Sequence, residues 1–255
     1  MSIQRSFLEE QWSNLERGIY VKLKKVNKIQ ILNQDFRKTL KGLPNNSVDL
    51  IITDPPYKIT QRGNCGNSGG MFKTKASMKG DLFKHNDLNP EDYAHEFFRV
   101  LKDGSHCYIM TNHTNLQHML NTFTSVGFHF VKSLVWVKNN KIMGRYYMSQ
   151  FEYILFFRKG KDKQINECGT SDVMVIKNKK LKKEDGSNAH NTEKPVELTD
   201  ILVRNSSQEN ELVCDPFLGI GAVAISCKKL NRRFIGGDID KEYCEITNQR
   251  LYKEE

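Results

Sequence analysis

Two spacings of apolar residues alternate along most of the chain. Short apolar runs, typical of buried strands, are followed by segments in which apolar side chains recur every three to four positions, as on one face of a helix. The short runs predict strands at 28–32, 48–53, 106–110, 128–138, 151–158, 212–214 and 234–238. The longer spacing predicts helices at 7–19, 36–40, 90–101, 115–125, 195–205, 222–230 and 241–251. This alternation predicts an α/β fold built around a sheet.

Three stretches interrupt the alternation. Residues 58–90 are rich in glycine and lysine, and we predict a mobile loop there, since unstructured loops longer than about 12–15 residues are usually functional or disordered. Residues 159–189 lose all periodicity and carry a run of lysines, which is typical either of a solvated loop or of a surface that contacts phosphates. The two strands at 128–138 and 151–158 are predicted to be antiparallel neighbours, joined by a polar connection that contains Arg145 and Tyr146.

The strand predicted at 48–53 ends in an unusual corner, Asp54-Pro55-Pro56-Tyr57. Proline has no backbone N–H to give to a sheet, so the strand must stop at Asp54. Two consecutive prolines also fix the backbone, which holds the carboxylate of Asp54 and the ring of Tyr57 in a stiff relation. Such a corner suits a site that grips a flat molecule.

A second motif lies near the end of the chain. The stretch "LVCDPFLGIGAVAISCKKLNRRFIGGDID" predicts a strand, a glycine turn, a helix and a second strand that ends in an acid. Gly219 and Gly221 would let the backbone approach a ligand, and Asp238 lies about where a nucleotide-binding βαβ unit has its ribose-binding carboxylate. The spacing from Gly219 to Ala224 equally fits a dinucleotide-binding fingerprint, so an NAD-type oxidoreductase is a rival interpretation.

Charge and cysteine content indicate which partners and which cellular compartment suit the protein. The formal net charge of +9 makes a polyanion such as nucleic acid a plausible partner. The six cysteines form no C-x-x-C pair and no cluster with zinc spacing, which favours a reducing compartment and gives no metal site. The N-terminal segment has acids where a signal peptide needs an apolar stretch, and no segment is apolar enough to span a membrane. We therefore expect a cytoplasmic protein.

The two motifs together resemble those of the amino-group DNA methyltransferases, which use S-adenosylmethionine and combine D-P-P-Y with D-P-F-x-G-x-G. The resemblance runs from about residue 28 to residue 251. Because D-P-P-Y precedes the glycine motif, the order resembles the circularly permuted β class. The resemblance implies a Rossmann-like class I methyltransferase fold with a seven-stranded, mostly parallel sheet that includes an antiparallel strand. It implies one domain over residues 1–255, with a small target-recognition insertion at about 159–189.

The resemblance also implies roles for individual residues. The implied catalytic residues are Asp54, Pro55, Pro56 and Tyr57. The implied cofactor-binding residues are Asp35, Phe36, Asp54, Thr192, Lys194, Asp215, Phe217, Gly219, Gly221 and Asp238. Departures from the family at Asn191, Ile220 and Ala222 would change side-chain contacts to the cofactor, whereas Gly237 implies only a local change of packing. The residues predicted to contact DNA are Lys58, Arg62, Lys73, Lys75, Arg145, Tyr146, Lys179, Lys180, Lys182 and Lys183.

The implied reaction is methyl transfer to the exocyclic amine of a flipped-out base in DNA. Aspartate at position 54 favours N6 of adenine, because cytosine-N4 enzymes of the family more often begin the motif with serine. An N4-cytosine or RNA methyltransferase stays open, as does a DNA-binding subunit of a modification system with little turnover. Methylation at cytosine carbon is excluded, because it needs a nucleophilic cysteine, usually after proline, and none of the cysteines follows proline. A homodimer and a cognate restriction endonuclease are further predicted partners. The helix predicted at 7–19 is expected to pack on its own domain, and a subunit interface is the alternative role for it.

Overall fold

The computed structural model describes residues 29–56, 88–142, 146–179, 181 and 193–253, and it places their strands in a single sheet. The strands are β1 (Ile29–Asn33), β2 (Val48–Thr53), β3 (Leu101–Thr111), β4 (His129–Ile142), β5 (Ser149–Arg158), β6 (Val173–Val175), β7 (Leu212–Asp215) and β8 (Arg233–Asp238). Their order across the sheet is β1-β8-β7-β2-β3-β5-β4-β6. Every neighbouring pair is parallel except the two pairs that β5 makes with β3 and β4. The predicted mostly parallel α/β sheet with an antiparallel strand is therefore confirmed.

Helices cover both faces of this sheet. They are α1 (Phe36–Lys41), α2 (Ala94–Val100), α3 (Leu116–Val126), α4 (Val196–Ser206), α5 (Ala222–Lys229) and α6 (Lys241–Lys253), with a 3₁₀ turn at Pro90–Asp92. One core contains aromatic rings from the first three helices, and the other contains aliphatic side chains from the last three. Strand β2 is buried along its whole length and contributes Ile51 to the first core and Leu50 to the second. This double burial explains its almost continuous apolar sequence.

Two close backbone approaches depend on glycine at the end of β8. An added Cβ at Gly236 would lie 2.3 Å from the carbonyl oxygen of Asp215, and one at Gly237 would lie 2.3 Å from the carbonyl oxygen of Leu32. Both neighbours are backbone atoms of the adjacent strands, which cannot move aside without breaking the pairing. The local packing change that we expected at Gly237 is therefore a close contact between β8 and β1.

One strand count and two element boundaries predicted from the sequence need correction. The sheet has eight strands in the described part of the chain, not seven, because β6 lies inside the stretch where periodicity is lost. The predicted helix at 90–101 is divided into the 3₁₀ turn and α2, with Tyr93 between them. Strand β3 begins at Leu101, five positions before the predicted start, and the polar sequence of residues 102–105 hides this extension. The predicted antiparallel pairing of β4 with β5 is confirmed.

The stretch at 159–189 is described only in part. Asn166 bonds through its backbone N–H to the carbonyl of Asn205, 2.8 Å away, and the indole N–H of Trp136 donates to the carbonyl of Ile176 at 2.9 Å. These contacts hold the described portion, up to residue 179, against the sheet and α4. The predicted loop at 58–90 and the predicted helix at 7–19 lie outside the described residues, apart from 88–90. Within the described ranges no helix has the length and apolarity needed to cross a membrane.

Candidate active site

Four acidic residues lie along one edge of the sheet. Asp215 and Asp238 are the last residues of their strands, Asp54 follows β2 directly, and Asp35 lies two residues after β1. Because β1, β8, β7 and β2 are parallel neighbours in that order, their carboxyl ends meet at the same edge. In open parallel sheets this edge is where ligands bind. Sequence segments from both ends of the chain therefore contribute to one candidate site.

The two proline corners are in direct contact. The hydroxyl of Thr53, the residue before Asp54, donates a hydrogen bond of 2.7 Å to Oδ1 of Asp215, 162 positions away in the sequence. The backbone N–H of Phe217 donates to the same oxygen at 3.1 Å. Residue Ile51 in β2 is paired with Cys214 in β7 just below these bonds. The D-P-P and D-P-F corners are thus adjacent and joined through a buried carboxyl group.

Burial changes the acidity of Asp215. Removal from solvent raises the pKa of its carboxyl from an ordinary value of 3.8 to about 7, although the bonds from Thr53 and Phe217 act in the opposite direction. The nearby carboxylates of Asp54 and Asp238 raise the pKa further. Near neutral pH this side chain is therefore divided between its protonated and ionised forms.

Replacing Asp215 by asparagine is expected to stabilise the fold at pH 8. Both bonds described above end on Oδ1, which an amide oxygen can replace. Because the pKa of Asp215 is raised in the folded state, the stability it contributes is complete below pH 3.8 and is lost as the pH rises through about 7. The free energy of unfolding of the variant should exceed that of the wild type by a margin that grows by about 2–3 kcal/mol between pH 5 and pH 8. Urea unfolding at both pH values measures the margin, and a margin independent of pH would contradict the assignment.

Asp54 presents one bound and one unbound oxygen. Its Oδ2 accepts a hydrogen bond from the ammonium group of Lys194, whose side chain is 8% exposed. Its Oδ1 is buried and has no hydrogen-bond partner among the described residues. Burial raises the pKa of Asp54 above its ordinary value of 3.8, because its effect exceeds the lowering by the charge of Lys194. A buried acceptor with no partner is costly in a folded protein, which suggests that a ligand completes this site.

Two further charged side chains lie behind this pair. Oε2 of Glu152, on β5, is 3.4 Å from the ammonium nitrogen of Lys194. Oε1 of Glu152 accepts a hydrogen bond from Lys138 on β4, which is 6% exposed. Burial raises the pKa of Glu152, but Lys194 and Lys138 outweigh it and hold this pKa below its ordinary value. Neither Glu152 nor Lys138 was predicted from the sequence, although Glu152 directly precedes the apolar run at 153–157 and Lys138 directly follows the one at 134–137.

The glycine turn predicted from the sequence lies between β7 and α5, and two of its residues have a left-handed backbone. Gly219 and Gly221 have φ angles of 51° and 82°. The backbone N–H of Gly219 donates to Oδ2 of Asp238 at 3.0 Å, and burial raises the pKa of this carboxyl group. Arg250 on α6 donates to the carbonyl of Ile220 at 2.6 Å and pairs with Glu193, 3.1 Å away. The turn is thus fixed to the acid at the end of β8 and to the segment that carries Lys194.

The predicted cofactor residues at the start of α1 have local partners in the structure. Asp35 caps the helix, accepting from the backbone N–H of Arg37 at 2.8 Å. Phe36 is buried and packs against the ring of Phe217 with a centroid distance of 4.8 Å. Asp35 lies close to Asp238, because the backbone N–H of Gln34 donates to the carbonyl of Asp238 at 3.1 Å. Cofactor contacts by Asp35 and Phe36 stay predictions.

Several predicted site residues lie outside the described part of the chain. They are Tyr57 of the first corner, Thr192, Asn191, and the predicted DNA contacts Lys58, Arg62, Lys73, Lys75, Arg145, Lys180, Lys182 and Lys183. Of the predicted DNA contacts, Tyr146 and Lys179 are described, and both are exposed. Tyr146 lies in the connection between β4 and β5, and Lys179 follows β6. No cluster of three or more His, Cys, Asp or Glu side chains suited to a metal occurs among the described residues.

Comparisons with known proteins agree with this geometry. A model of a DNA methylase family matches residues 48–249. The type II methyltransferase M2.DpnII of Streptococcus pneumoniae is 31% identical over 253 residues, which cover 89% of this chain and 91% of that protein. The crystal structure of the M1.HpyAVI–SAM complex is 24% identical and has a TM-score of 0.64. The match covers 88% of this chain and 98% of that one. The PvuII DNA methyltransferase, described as cytosine-N4-specific, is 14% identical with a TM-score of 0.69, covering 89% of this chain and 87% of that one.

Proposed function

The chain belongs to the DNA methylase family, and we propose that it transfers a methyl group from S-adenosylmethionine to the N6 amino group of adenine at a specific DNA sequence. The observation that carries this proposal is the buried Oδ1 of Asp54, which has no partner among the described residues and lies at a corner joined to the glycine turn. An exocyclic amine needs a hydrogen-bond acceptor beside it, and a methyl donor needs a pocket within reach. Oδ1 of Asp54 supplies the acceptor, and the glycine turn beside it would hold the methyl donor.

The residues of the glycine turn fit a nucleoside cofactor. The carboxylate of Asp238 can accept bonds from ribose hydroxyls, since each of its oxygens has more lone pairs than its contacts with Gly219 and Asp240 use. Gly219 and Gly221 leave the backbone of the turn open to close approach. The bound cofactor would supply an electrophilic methyl group on sulfur. By the family resemblance, Asp35 would bond the adenine amine of the cofactor, and Thr192 and Lys194 would lie at its amino-acid end.

Asp54 and Pro55 would activate the substrate amine. The lone pair of an exocyclic base amine is delocalised into the ring, so the amine is a poor nucleophile. Oδ1 of Asp54 can accept one amino hydrogen and the carbonyl of Pro55 the other, which localises the lone pair and orients it. As the nitrogen gains positive charge during methylation, the carboxylate of Asp54 stabilises it, and the surplus proton leaves to Asp54 or to water. Tyr57 would stack on the extruded base and replace part of the lost stacking.

Adenine is favoured over cytosine by the residue that begins the motif. Aspartate at position 54 is typical of N6-adenine enzymes in the family, whereas serine is commoner in N4-cytosine enzymes. The PvuII enzyme, whose fold is similar, is described as cytosine-N4-specific, so N4-cytosine is the alternative that the experiment must separate. The same corner could also act on RNA.

A basic and aromatic surface beside the site suits DNA. Within the described residues, 139–142, 146–151 and 173–179 contain no aspartate or glutamate. Two hydrogen bonds bring these segments together: Asn178 donates from its backbone to Oδ1 of Asn139 at 2.8 Å and from its amide to Asn140 at 3.4 Å. Tyr147, at the end of the hairpin, is 95% exposed. We assign this acid-free surface to the duplex that flanks the target base.

Replacing Lys177 and Lys179 together by glutamine is expected to weaken DNA binding evenly across sequences. Both lysines are exposed on the acid-free surface. Removing one phosphate contact should lower the slope of log K against log salt by about 0.9, so the slope should fall by about 2 if both lysines bind phosphate. Fluorescence anisotropy over a salt series measures the slope. Replacing Lys41 and Lys253, also exposed, removes the same charge elsewhere, and an equal change in that control would contradict the assignment.

Methylation of a genomic substrate followed by modification-sensitive sequencing tests the proposed function. Modified adenines at one short sequence would support it. Modified cytosines would favour the N4-cytosine alternative, and DNA binding without any modification would favour a subunit with little turnover. A homodimer, a cognate restriction endonuclease and a cytoplasmic location are further proposals. Light scattering over a concentration series tests the first, since a constant monomer mass would reject it.

A further inference from the structure

Four charged side chains form an alternating row that ends at Asp54. In order they are Lys138, Glu152, Lys194 and Asp54, from β4, β5, the segment before α4 and the corner after β2. Lys138 and Lys194 are 6% and 8% exposed, and Glu152 is 20% exposed. The row has two positive and two negative charges, so it is neutral as a whole.

Burying a row of charged side chains behind a strand costs free energy. Charges removed from water lose hydration that ion pairing only partly restores, and apolar residues of similar volume often stabilise a fold equally well. Lys138 also lies over the ring of Trp136, with its nitrogen 4.9 Å from the ring centroid, and Trp136 belongs to the second hydrophobic core. A row that costs stability and ends at Asp54 points to a role in the reaction.

The ammonium group of Lys194 is shared between two carboxylates. It donates to Oδ2 of Asp54 and lies 3.4 Å from Oε2 of Glu152. Glu152 attracts the same ammonium group that is bonded to Asp54, which restricts the position of Lys194. It also keeps Lys194 from neutralising Asp54 completely. Oδ1 of Asp54 therefore keeps both its position and its strength as an acceptor.

We propose that Glu152 and Lys138 are positioning residues that act through Lys194, holding Asp54 with Oδ1 directed at the amino group of the substrate. This inference rests on the proposed function and deepens it. Lys138 fixes Oε1 of Glu152, and Glu152 in turn fixes Lys194. Neither residue touches the substrate. Their contribution is the geometry and charge of the acceptor.

The proposal predicts that substitutions of Glu152 and of Lys138 shift the pH dependence of the rate in opposite directions. Among the described residues, the charged or titratable groups that interact with Asp54 are Lys194, Glu152, Lys138, Asp215 and Tyr93. Glu152 raises the pKa of Asp54 and Lys138 lowers it. Activity requires ionised Asp54, so it is lost as the pH falls through that pKa. Glu152→Gln should move the acidic limb of the rate profile to lower pH, and Lys138→Met should move it to higher pH.

Both variants are expected to lower kcat by about 10- to 100-fold with little change in KM for DNA, because a displacement of about 1 Å at a reacting group has an effect of this size. The matched control is Asp172→Asn, which breaks the exposed ion pair of Asp172 with Lys132 at the other end of β4. The control should keep wild-type kcat and the wild-type limb. Thermal unfolding of all variants identifies any loss of folded protein.

A carboxyl-carbon NMR titration of Asp54 in the cofactor-free protein gives a readout independent of turnover, with Asp54→Asn to assign the signal. Opposite displacements of the Asp54 titration in Glu152→Gln and Lys138→Met support the proposal. Displacements in the same direction, or none, would overturn it, as would a loss of kcat that only follows the loss of folded protein. If the wild type methylates no adenine but the titrations move as expected, the proposed function fails and the electrostatic linkage stands.

Discussion

Replacing Asp54 by alanine lowers kcat for adenine methylation by about 100- to 1000-fold, the usual effect of removing one preorganised polar group from an active site. The variant loses the Oδ1 acceptor and leaves the ammonium of Lys194 without its carboxylate partner at the corner. The amine then keeps its lone pair in the ring. Affinity for S-adenosylmethionine should change much less, because the glycine turn and Asp238 are untouched. Single-turnover kinetics with labelled cofactor and calorimetry of cofactor binding measure the two effects.

The matched variant is Asp54→Asn, which keeps the shape of the side chain but loses its charge. It should retain some activity above alanine if its amide oxygen takes the position of Oδ1, and it should lose the acidic limb of the pH profile. An alanine variant with wild-type kcat would remove Asp54 from the mechanism. A variant that binds no cofactor would instead assign Asp54 to cofactor binding.

Replacing Gly221 by alanine is expected to damage cofactor binding and stability together. The φ angle of 82° is strained for a residue with a Cβ, at a cost of about 1–2 kcal/mol. The added Cβ would also lie 2.3 Å from Cγ2 and 2.7 Å from Oγ1 of Thr247 on α6. Either the turn or the helix must move, so we expect affinity for S-adenosylmethionine to fall by at least about tenfold, as a loss of 1.4 kcal/mol implies. Calorimetry and thermal unfolding measure the two effects.

A second substitution separates the clash from the backbone strain. Thr247→Ala removes both atoms that the new Cβ would meet most closely, so the double variant should recover part of the stability lost in Gly221→Ala. The single Thr247→Ala variant supplies the reference for the pair. Losses that simply add would show that the contacts with Cγ2 and Oγ1 of Thr247 contribute nothing.

The sequence predicts the centre of this fold well for a physical reason. Strand β2 is buried on both faces, which favours an almost continuous apolar run, and the prolines after Asp54 end it at the residue that the pattern predicts. In the same way, the apolar run of β7 and the glycines that follow it predict a turn after that strand. Because parallel strands align their carboxyl ends, the meeting of the D-P-P and D-P-F corners follows once both strands belong to one sheet.

The edges of the fold are less predictable because they depend on tertiary contacts. Strand β6 has three residues, of which only Met174 is buried, so it has no period to detect. It forms because it pairs with the outer side of β4. The early start of β3 at Leu101 depends on its pairing with Val48 across a register shift, which nothing in the polar sequence after Leu101 indicates.

The candidate active site, like the fold, contains some residues that the sequence predicts and others that it does not. The acids at strand ends could be predicted, because motif and position identify them. Glu152 and Lys138 could not, since their role depends on the packing of β4 against β5 and on a lysine that lies much later in the chain. A charged residue at the end of an apolar run was the available signal for each of them. The structure shows the contacts of these two residues: Lys138 donates to Glu152, and Glu152 lies 3.4 Å from Lys194.

Nucleoside mass spectrometry of DNA incubated with the protein and methyl-labelled S-adenosylmethionine tests the central claim most directly. We predict that the label appears in N6-methyladenine with the wild-type protein and is reduced at least about 100-fold with Asp54→Ala. Label in N4-methylcytosine, no label in any base, or undiminished label with the variant would contradict the account.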